Sequence, residues 1–208
     1  LFDQNEGSML VNSYLDYEDN YINISKSKFS NNTTSSPVVF GAGSPINCTL
    51  TESEFSSNNC YDLLCLEGSN NLAINDCEFL SNNCERSNPN WAYDPFMIQI
   101  SKSVKKVQIE RNKFIGNNSP TSLVRCNCDT LDFKDCFLDK NNTDSRELLS
   151  FIICTNSQNT EKNVAYVERN TFSNNKCLYL MFLFNNSHDV YLRNNTIVSN
   201  ECSSEIWY

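Results

Sequence analysis

The chain has 208 residues, a formal net charge of −9 and eleven cysteines. The acidic balance argues against nucleic-acid binding, which requires a basic stripe. The sequence contains no apolar run of the roughly 18 residues that a membrane-spanning helix needs. Cysteine at this frequency is typical of proteins from an oxidising compartment, although an odd number leaves at least one cysteine unpaired within the chain.

An apolar residue followed three positions later by asparagine recurs seven times along the sequence. The apolar anchors are Phe29, Phe55, Phe79, Phe114, Leu138, Phe172 and Ile197. The asparagines are Asn32, Asn58, Asn82, Asn117, Asn141, Asn175 and Asn200. Successive anchors lie about two dozen residues apart with two wider gaps, and this period indicates a solenoid whose units bury apolar surface only against their neighbours.

Each unit contains three short apolar segments in a fixed order. The first is a pair separated by one residue, such as Val107 and Ile109, which is the period-2 signature of a strand. The anchor marks the second strand, and a later apolar run such as 151–153 marks the third. Three strands per unit, stacked in register, predict an all-β fold: a parallel β-helix solenoid of about seven three-stranded rungs, right-handed because parallel crossovers strongly favour that hand.

The recurring asparagine is predicted to point inward at the bend that follows the anchor. Asparagine adopts the left-handed αL conformation at low cost, and we expect it to do so at this bend. Its amide both donates and accepts hydrogen bonds, so a column of amides would satisfy the buried backbone of successive bends. The sequence therefore predicts an internal asparagine ladder.

One repeat running from end to end predicts a single domain over residues 1–208, with residues 1–20 forming an N-terminal partial rung and cap. Two insertions widen the repeat, near residues 85–95 and 142–162. The chain starts without methionine and closes on the apolar segment 206–208. A bare solenoid end needs a cap or more sequence, so we expect a fragment of a longer protein.

Five of the repeats have the form Phe-x-x-Asn, namely those at 29–32, 55–58, 79–82, 114–117 and 172–175. They resemble the FxxN repeats of the polymorphic outer-membrane protein family and of similar surface proteins in some protists. The Gly-Gly-Ala-Ile motif that accompanies those repeats in the family is absent from this sequence. The resemblance implies a β-helical, surface-displayed passenger module with an adhesive role.

Four cysteines fall five residues after an anchor, which places Cys60 beside Cys84 and Cys177 beside Cys202 on neighbouring rungs. A strand separation of about 4.8 Å lies within the Cα–Cα range of a disulfide, roughly 4.4 to 6.8 Å. Both pairs are therefore disulfide candidates. The alternative is a column of reduced, buried thiols that act as small hydrophobic groups.

Several Asn-x-Ser/Thr sequons favour the secretory route. Those predicted to project outward or lie in loops are candidate glycosylation sites, namely Asn23, Asn47, Asn185 and Asn194. Three others coincide with ladder positions and are predicted to be buried and unmodified, namely Asn32, Asn117 and Asn141.

Many right-handed β-helices cleave polysaccharides, with acidic residues on the outer face of the first strand. That face is predicted to present, rung by rung, Asn23, Thr49, Ala73, Gln108, Asp132, Tyr166 and Tyr191. Asp132 is the one carboxylate in this row, whereas glycoside hydrolysis needs two. The charges of the following bend alternate in sign and predict a solvated salt-bridge ladder. No catalytic, cofactor or metal site is predicted.

Trp91 and Tyr93 in the first insertion are candidate binding residues, because exposed aromatic side chains anchor proteins and stack on sugars. The alternative is that both fold back over the core. The sequence favours a non-catalytic extracellular or cell-surface module with a structural or adhesion role. Its partner would be a protein or glycan bound through sheet faces and insertions, or neighbouring β-helix segments joined end to end. The alternatives are a polysaccharide lyase or glycoside hydrolase, and an intracellular scaffold or filament component.

Overall fold

The computed structural model describes residues 1–7, 10–15, 20–43, 46–67, 69–85, 95–143, 147–153, 164–185 and 189–207, and all regular structure in these ranges is β. In chain order the first strands are β1 (Phe2–Asp3), β2 (Glu6–Gly7), β3 (Val11–Leu15), β4 (Asn20–Ser25), β5 (Lys28–Ser30), β6 (Thr33–Thr34), β7 (Val39–Gly43), β8 (Ile46–Thr51), β9 (Glu54–Ser56), β10 (Asn59–Cys60), β11 (Leu64–Glu67), β12 (Ser69–Asn75) and β13 (Glu78–Leu80). The remainder are β14 (Asn83–Cys84), β15 (Ile98–Glu110), β16 (Lys113–Ile115), β17 (Val124–Lys134), β18 (Phe137–Asp139), β19 (Glu147–Ile153), β20 (Val164–Glu168), β21 (Thr171–Ser173), β22 (Lys176–Asn185), β23 (Asp189–Arg193), β24 (Thr196–Val198) and β25 (Glu201–Trp207).

The strands form stacks in which every pairing between these elements is parallel. The first sheet contains β4, β8, β12, the later halves of β15 and β17, β20 and β23. The second sheet has the order β1-β5-β9-β13-β16-β18-β21-β24, and the third β3-β7-β11-β15-β17-β19-β22-β25. Short corner strands, β2, β6, β10 and β14, join the second sheet to the third. The chain therefore coils as a parallel β-helix, which confirms the predicted fold class.

The interior is built from columns of equivalent side chains, one from each rung. The phenylalanine anchors stack face to face, with ring centroids 4.7 Å apart for Phe29 and Phe55 and 4.8 Å apart for Phe79 and Phe114. These rings are at most 1% exposed. Because a fully buried phenylalanine contributes about 1.5–3 kcal/mol relative to an exposed one, the column accounts for a large share of the core.

The predicted asparagine ladder is present. The backbone N–H and the Nδ2 of Asn82 both donate to Oδ1 of Asn117 at 3.0 Å, and the same Nδ2 donates to the carbonyl of Phe55 at 2.8 Å. This pattern recurs along the column, so each amide uses both of its donors and both of its acceptor positions. Asn5, three residues after Phe2, extends the ladder by one rung.

The ladder asparagines do not themselves adopt the αL conformation, so that part of the prediction is wrong. The left-handed residue is the one immediately before each ladder asparagine, with φ between 53° and 64° in the series Asn31, Ser57, Ser81, Gly116, Lys140, Asn174 and Ser199. All of these residues are exposed. The chain reverses one residue early because the asparagine N–H and side chain must both point into the core.

A second internal column lies two residues before each anchor and was not predicted. Cys77 N–H donates to Oδ1 of Asn112 at 2.8 Å, and Ser27 N–H donates to Oγ of Ser53 at 3.1 Å. Asn112 also donates from Nδ2 to the carbonyl of Ile74 at 2.7 Å. This column provides hydrogen-bond partners for the buried backbone groups of the bend between the first and second sheets. The asparagine ladder does the same for the bend that follows the second sheet.

Candidate functional site

The outer face of the first sheet carries the row of side chains that the sequence predicted, in the predicted register. Asn23 pairs with Thr49, Gln108 with Asp132, and Tyr166 with Tyr191. The earlier rungs of this face present neutral side chains, among them the exposed Tyr21, whereas charged side chains appear from Lys106 onward together with two further tyrosines. The distinctive chemistry of this face therefore lies on its later rungs.

Of the acids on these later rungs, the buried Asp132 and the half-buried Glu168 lie on adjacent rungs, and both are paired with cations. Lys134 Nζ lies 2.5 Å from Asp132 Oδ1 and 4.0 Å from Glu168 Oε2. Lys106 Nζ lies 3.4 Å from the other oxygen of Asp132, and Arg193 lies 3.6 Å from Glu168. Glu168 is the last residue of β20, which pairs with the strand that carries Asp132.

Two tyrosines stand side by side on this face. The rings of Tyr166 and Tyr191 are stacked with centroids 5.0 Å apart and planes 10° apart. Lys134 Nζ lies 4.7 Å from the centroid of Tyr166, and Arg193 Cζ lies 4.4 Å from that of Tyr191. The ring faces are thus occupied by each other and by cations, an arrangement that fixes both rotamers. We call these four residues the tyrosine clamp.

The bend after the first sheet carries the predicted salt-bridge ladder. Arg111 contacts both carboxylate oxygens of Asp76, at 2.7 and 2.8 Å, and Arg169 contacts those of Asp135 at the same two distances. These hydrogen bonds hold the pKa of Asp76 and of Asp135 below the usual value. All four side chains are exposed by more than a third, so solvent screens both pairs and each contributes little to the stability of the fold.

The cysteines predicted as neighbours are in register. Cys60 pairs with Cys84 with sulfur atoms 3.8 Å apart, and Cys177 pairs with Cys202; all four are free thiols in this structure. Burial raises the pKa of Cys177 to about 12. The two disulfides remain predictions.

The candidate glycosylation sites differ in their surroundings. Asn23 is exposed on the first sheet, and Asn47 is half-buried on the next strand of that sheet, with Oδ1 accepting from Asn71 Nδ2 at 3.1 Å. Asn194 is exposed at a left-handed position, and Asn185 is the last residue of β22. The three ladder sequons are at most 1% exposed, as predicted, namely Asn32, Asn117 and Asn141.

The candidate binding residues Trp91 and Tyr93 lie outside the described residues, as do 144–146 and 154–163 of the second insertion. Their role stays a prediction.

An outer asparagine column, which sequence analysis missed, lies four residues after the anchors at the corner between the second and third sheets. Asn118 Nδ2 donates to Oδ1 of Asn83 at 2.8 Å, and Asn142 Nδ2 donates to Oδ1 of Asn118 at 3.1 Å. Asn59 accepts from Asn83 at 3.5 Å. The signal in the sequence was the second asparagine of Asn58-Asn59, Asn82-Asn83, Asn117-Asn118 and Asn141-Asn142.

A family model described as "Right handed beta helix region" matches residues 14–208. The chain therefore belongs to the right-handed β-helix family, in agreement with its coiled sheets. No match was found among curated proteins or among solved structures. The narrower resemblance to polymorphic outer-membrane proteins remains a prediction. Among the described residues there is no helix that is long and apolar enough to span a membrane, and no cluster of three or more potential metal ligands.

Proposed function

We propose that this protein is a non-catalytic module of the extracellular space or cell surface that adheres to a protein partner through the outer face of the first sheet. The tyrosine clamp is the observation that carries the proposal. Tyrosine and arginine dominate the energetics of protein interfaces, and side chains already fixed lose little entropy on binding. The sequons and cysteines support the location.

The clamp favours a protein partner over a sugar at this face. Sugar recognition by aromatic residues uses an open ring face, but the faces of Tyr166 and Tyr191 are covered by each other, by Lys134 and by Arg193. The ring edges and the surrounding charges remain for a partner with complementary polar groups. Lys106, Lys134 and Arg193 stand beside the acid groups, and this arrangement of both charge signs determines which partner surfaces are electrostatically complementary.

The test is an adhesion assay with beads coated with the secreted protein and applied to intact cells. We expect the double variant Tyr166→Ser/Tyr191→Ser to reduce adhesion at least tenfold. Tyr21→Ser is the matched control, because Tyr21 lies on the same sheet, is 73% exposed and lies outside the clamp. Protease treatment of the cells should abolish adhesion, and periodate oxidation of their glycans should not. Adhesion that is unchanged in the double variant, or that is lost only after periodate, contradicts the proposal.

A second candidate function is polysaccharide cleavage, and the observation that favours it is the position of Lys134 between Asp132 and Glu168. Glycoside hydrolysis uses two carboxyl groups, and Asp132 and Glu168 are two carboxylates on adjacent rungs. Release of reducing ends or of unsaturated products from a polysaccharide panel measures this activity. Activity lost in Asp132→Asn and kept in Thr49→Ala would establish the enzyme; inactivity across the panel favours the adhesion module.

A further inference from the structure

The corner between the second and third sheets carries an uncharged polar surface that the proposed adhesion face does not use. We define the corner strip as Ser57, Asn59, Ser81, Asn83, Gly116 and Asn118. Its backbone is regular, because β10 and β14 pair in register and Asn83 bridges to Asn118 on the next rung. Four of the six residues are exposed and the other two are half-buried. The strip is therefore a straight, accessible row along the axis.

The amides of the strip retain hydrogen-bonding capacity after forming the outer column. Asn118 donates one N–H to Asn83 and accepts one bond from Asn142, so a second N–H and a second lone pair remain. Asn83 is more fully used, since it also donates to the carboxylate of Glu85, an exposed side chain at the edge of the strip. The side chain of Asn59 accepts from Asn83 through Oδ1, and its Nδ2 makes no hydrogen bond within the described residues.

The small residues beside the amides leave them accessible. Ser57, Ser81 and Gly116 occupy the left-handed positions of three consecutive rungs. The next rung has Lys140 there, so a long side chain is compatible with the position but is absent from the strip. The result is a row of amide groups flanked by small residues.

The chemistry of the corner strip favours one class of partner over the others. A nucleic acid needs basic residues, and the strip has none. A protein interface is usually organised around aromatic or apolar groups, which are also missing here. Paired donors and acceptors without charge match the vicinal hydroxyls of a sugar. The rung spacing of about 4.8 Å is similar to the length of one sugar unit in an extended chain, so successive amides face successive units.

We propose that the corner strip binds an unbranched, neutral polysaccharide that lies along the solenoid axis. This site is separate from the tyrosine clamp and does not depend on the proposed protein adhesion. The amides provide the hydrogen bonds, and the lack of charge on the strip means that an anionic polymer gains no ion pair there.

The test uses the double variant Asn83→Thr/Asn118→Lys. Thr33 and Lys176 hold the same column position in other rungs, so both replacements are compatible with the local backbone. Retention of the secreted protein on cellulose, mannan and β-1,3-glucan is compared with retention on pectin and heparin. We expect tight retention on at least one neutral polymer and an affinity at least tenfold lower in the double variant.

Two controls distinguish binding at the corner strip from binding elsewhere on the molecule. Thr49→Ala on the first sheet, and the Tyr166→Ser/Tyr191→Ser variant, should bind the neutral polymer as the parent protein does. Circular dichroism and urea unfolding verify that the strip variant is folded. The proposal is overturned if no neutral polymer is retained, if charged polymers bind equally well, or if the folded strip variant binds as tightly as the parent. Self-association that sedimentation detects in the parent and not in the variant would also overturn it, by making a second copy the occupant.

Discussion

Replacing Asn117 and its chain neighbour Asn118 separately by alanine tests the inner ladder against the outer column. The two asparagines are adjacent in sequence, but Asn117 is 1% exposed inside the coil and Asn118 is half-buried outside it. Each substitution removes the same atoms. A difference in stability therefore reports on the environment of the amide and not on the residue type.

The loss of folding stability in Asn117→Ala follows from the hydrogen bonds that the substitution removes. Its Oδ1 accepts from the N–H and the Nδ2 of Asn82, and its Nδ2 donates to the Phe79 carbonyl at 2.8 Å and to Asn141 Oδ1 at 3.0 Å. Alanine leaves a buried backbone N–H, a buried amide hydrogen and a buried carbonyl without partners. Each such group costs about 1–3 kcal/mol, and neighbouring costs do not add fully, so we expect about 3–5 kcal/mol. In Asn118→Ala, the groups that lose a hydrogen-bond partner can bind water instead, so the variant should lose less than about 1 kcal/mol of folding stability.

Urea unfolding followed by far-ultraviolet circular dichroism measures both variants. Because rungs contact only their neighbours, the Asn117→Ala variant should also show a broader transition, with the middle of the coil opening first. Hydrogen exchange would locate that opening at the amides of Asn82 and its neighbours. If the two variants are destabilised equally, the buried amide hydrogen bonds of the inner ladder do not stabilise the coil more than the solvated bonds of the outer column.

Three further predictions concern titration and modification. Burial raises the pKa of Asp62 to about 7, so the folding stability that depends on this group is lost as pH rises from about 4 to 7. The variant Asp62→Asn keeps an acceptor for the Phe96 N–H. At pH 8, urea unfolding should show that this variant is about 2–4 kcal/mol more stable than the parent protein. Burial also raises the pKa of Cys136 from 9.0 to about 12, so the free energy of unfolding should fall as pH rises above 9. In urea unfolding at several pH values, Cys136→Ser should reduce the dependence of this free energy on pH by up to about 1.4 kcal/mol per pH unit. Peptide mapping of the secreted protein should find glycans on the accessible sequons Asn23, Asn47 and Asn194. It should find none on the buried ladder sequons Asn32, Asn117 and Asn141. A glycan on any of these buried asparagines would contradict the register of the coil.

The repeat could be predicted because every rung imposes the same requirement at the same offset from its anchor. The column that begins with Phe29 and Asn32 fixes which residues face inward, and the register of the first sheet follows from it. The second internal column escaped detection because Ser53, Cys77 and Asn112 share no residue type. Their common property is a short side chain that hydrogen bonds to a bend, and a pattern of identities does not reveal it.

The surface sites were predicted less completely, because they depend on side-chain conformations and not on register alone. The row containing Asp132 and Tyr166 was expected, but the cations over the tyrosine rings depend on the rotamers of Lys134 and Arg193. The outer asparagine column was not predicted because each of its members directly follows a ladder asparagine. The role of the ladder asparagine already explains why asparagine recurs at this point of the repeat, so the second asparagine of each pair drew no separate interpretation.

The inner and outer asparagine columns have opposite polarity, which shows how the interior and the surface of the coil differ. Inside, Asn82 donates toward the next rung, to Asn117, whereas outside Asn118 donates back, to Asn83. The inner direction is imposed by the buried backbone N–H groups that share each Oδ1 acceptor. Within the described part of the chain, no backbone N–H donates to Oδ1 of Asn83 or Asn118, so the orientation of these two amides is set by their side-chain partners and by solvent. An outer column is therefore free to change its residues from rung to rung without loss of the fold, and binding surfaces are expected where outward columns differ in chemistry from their surroundings.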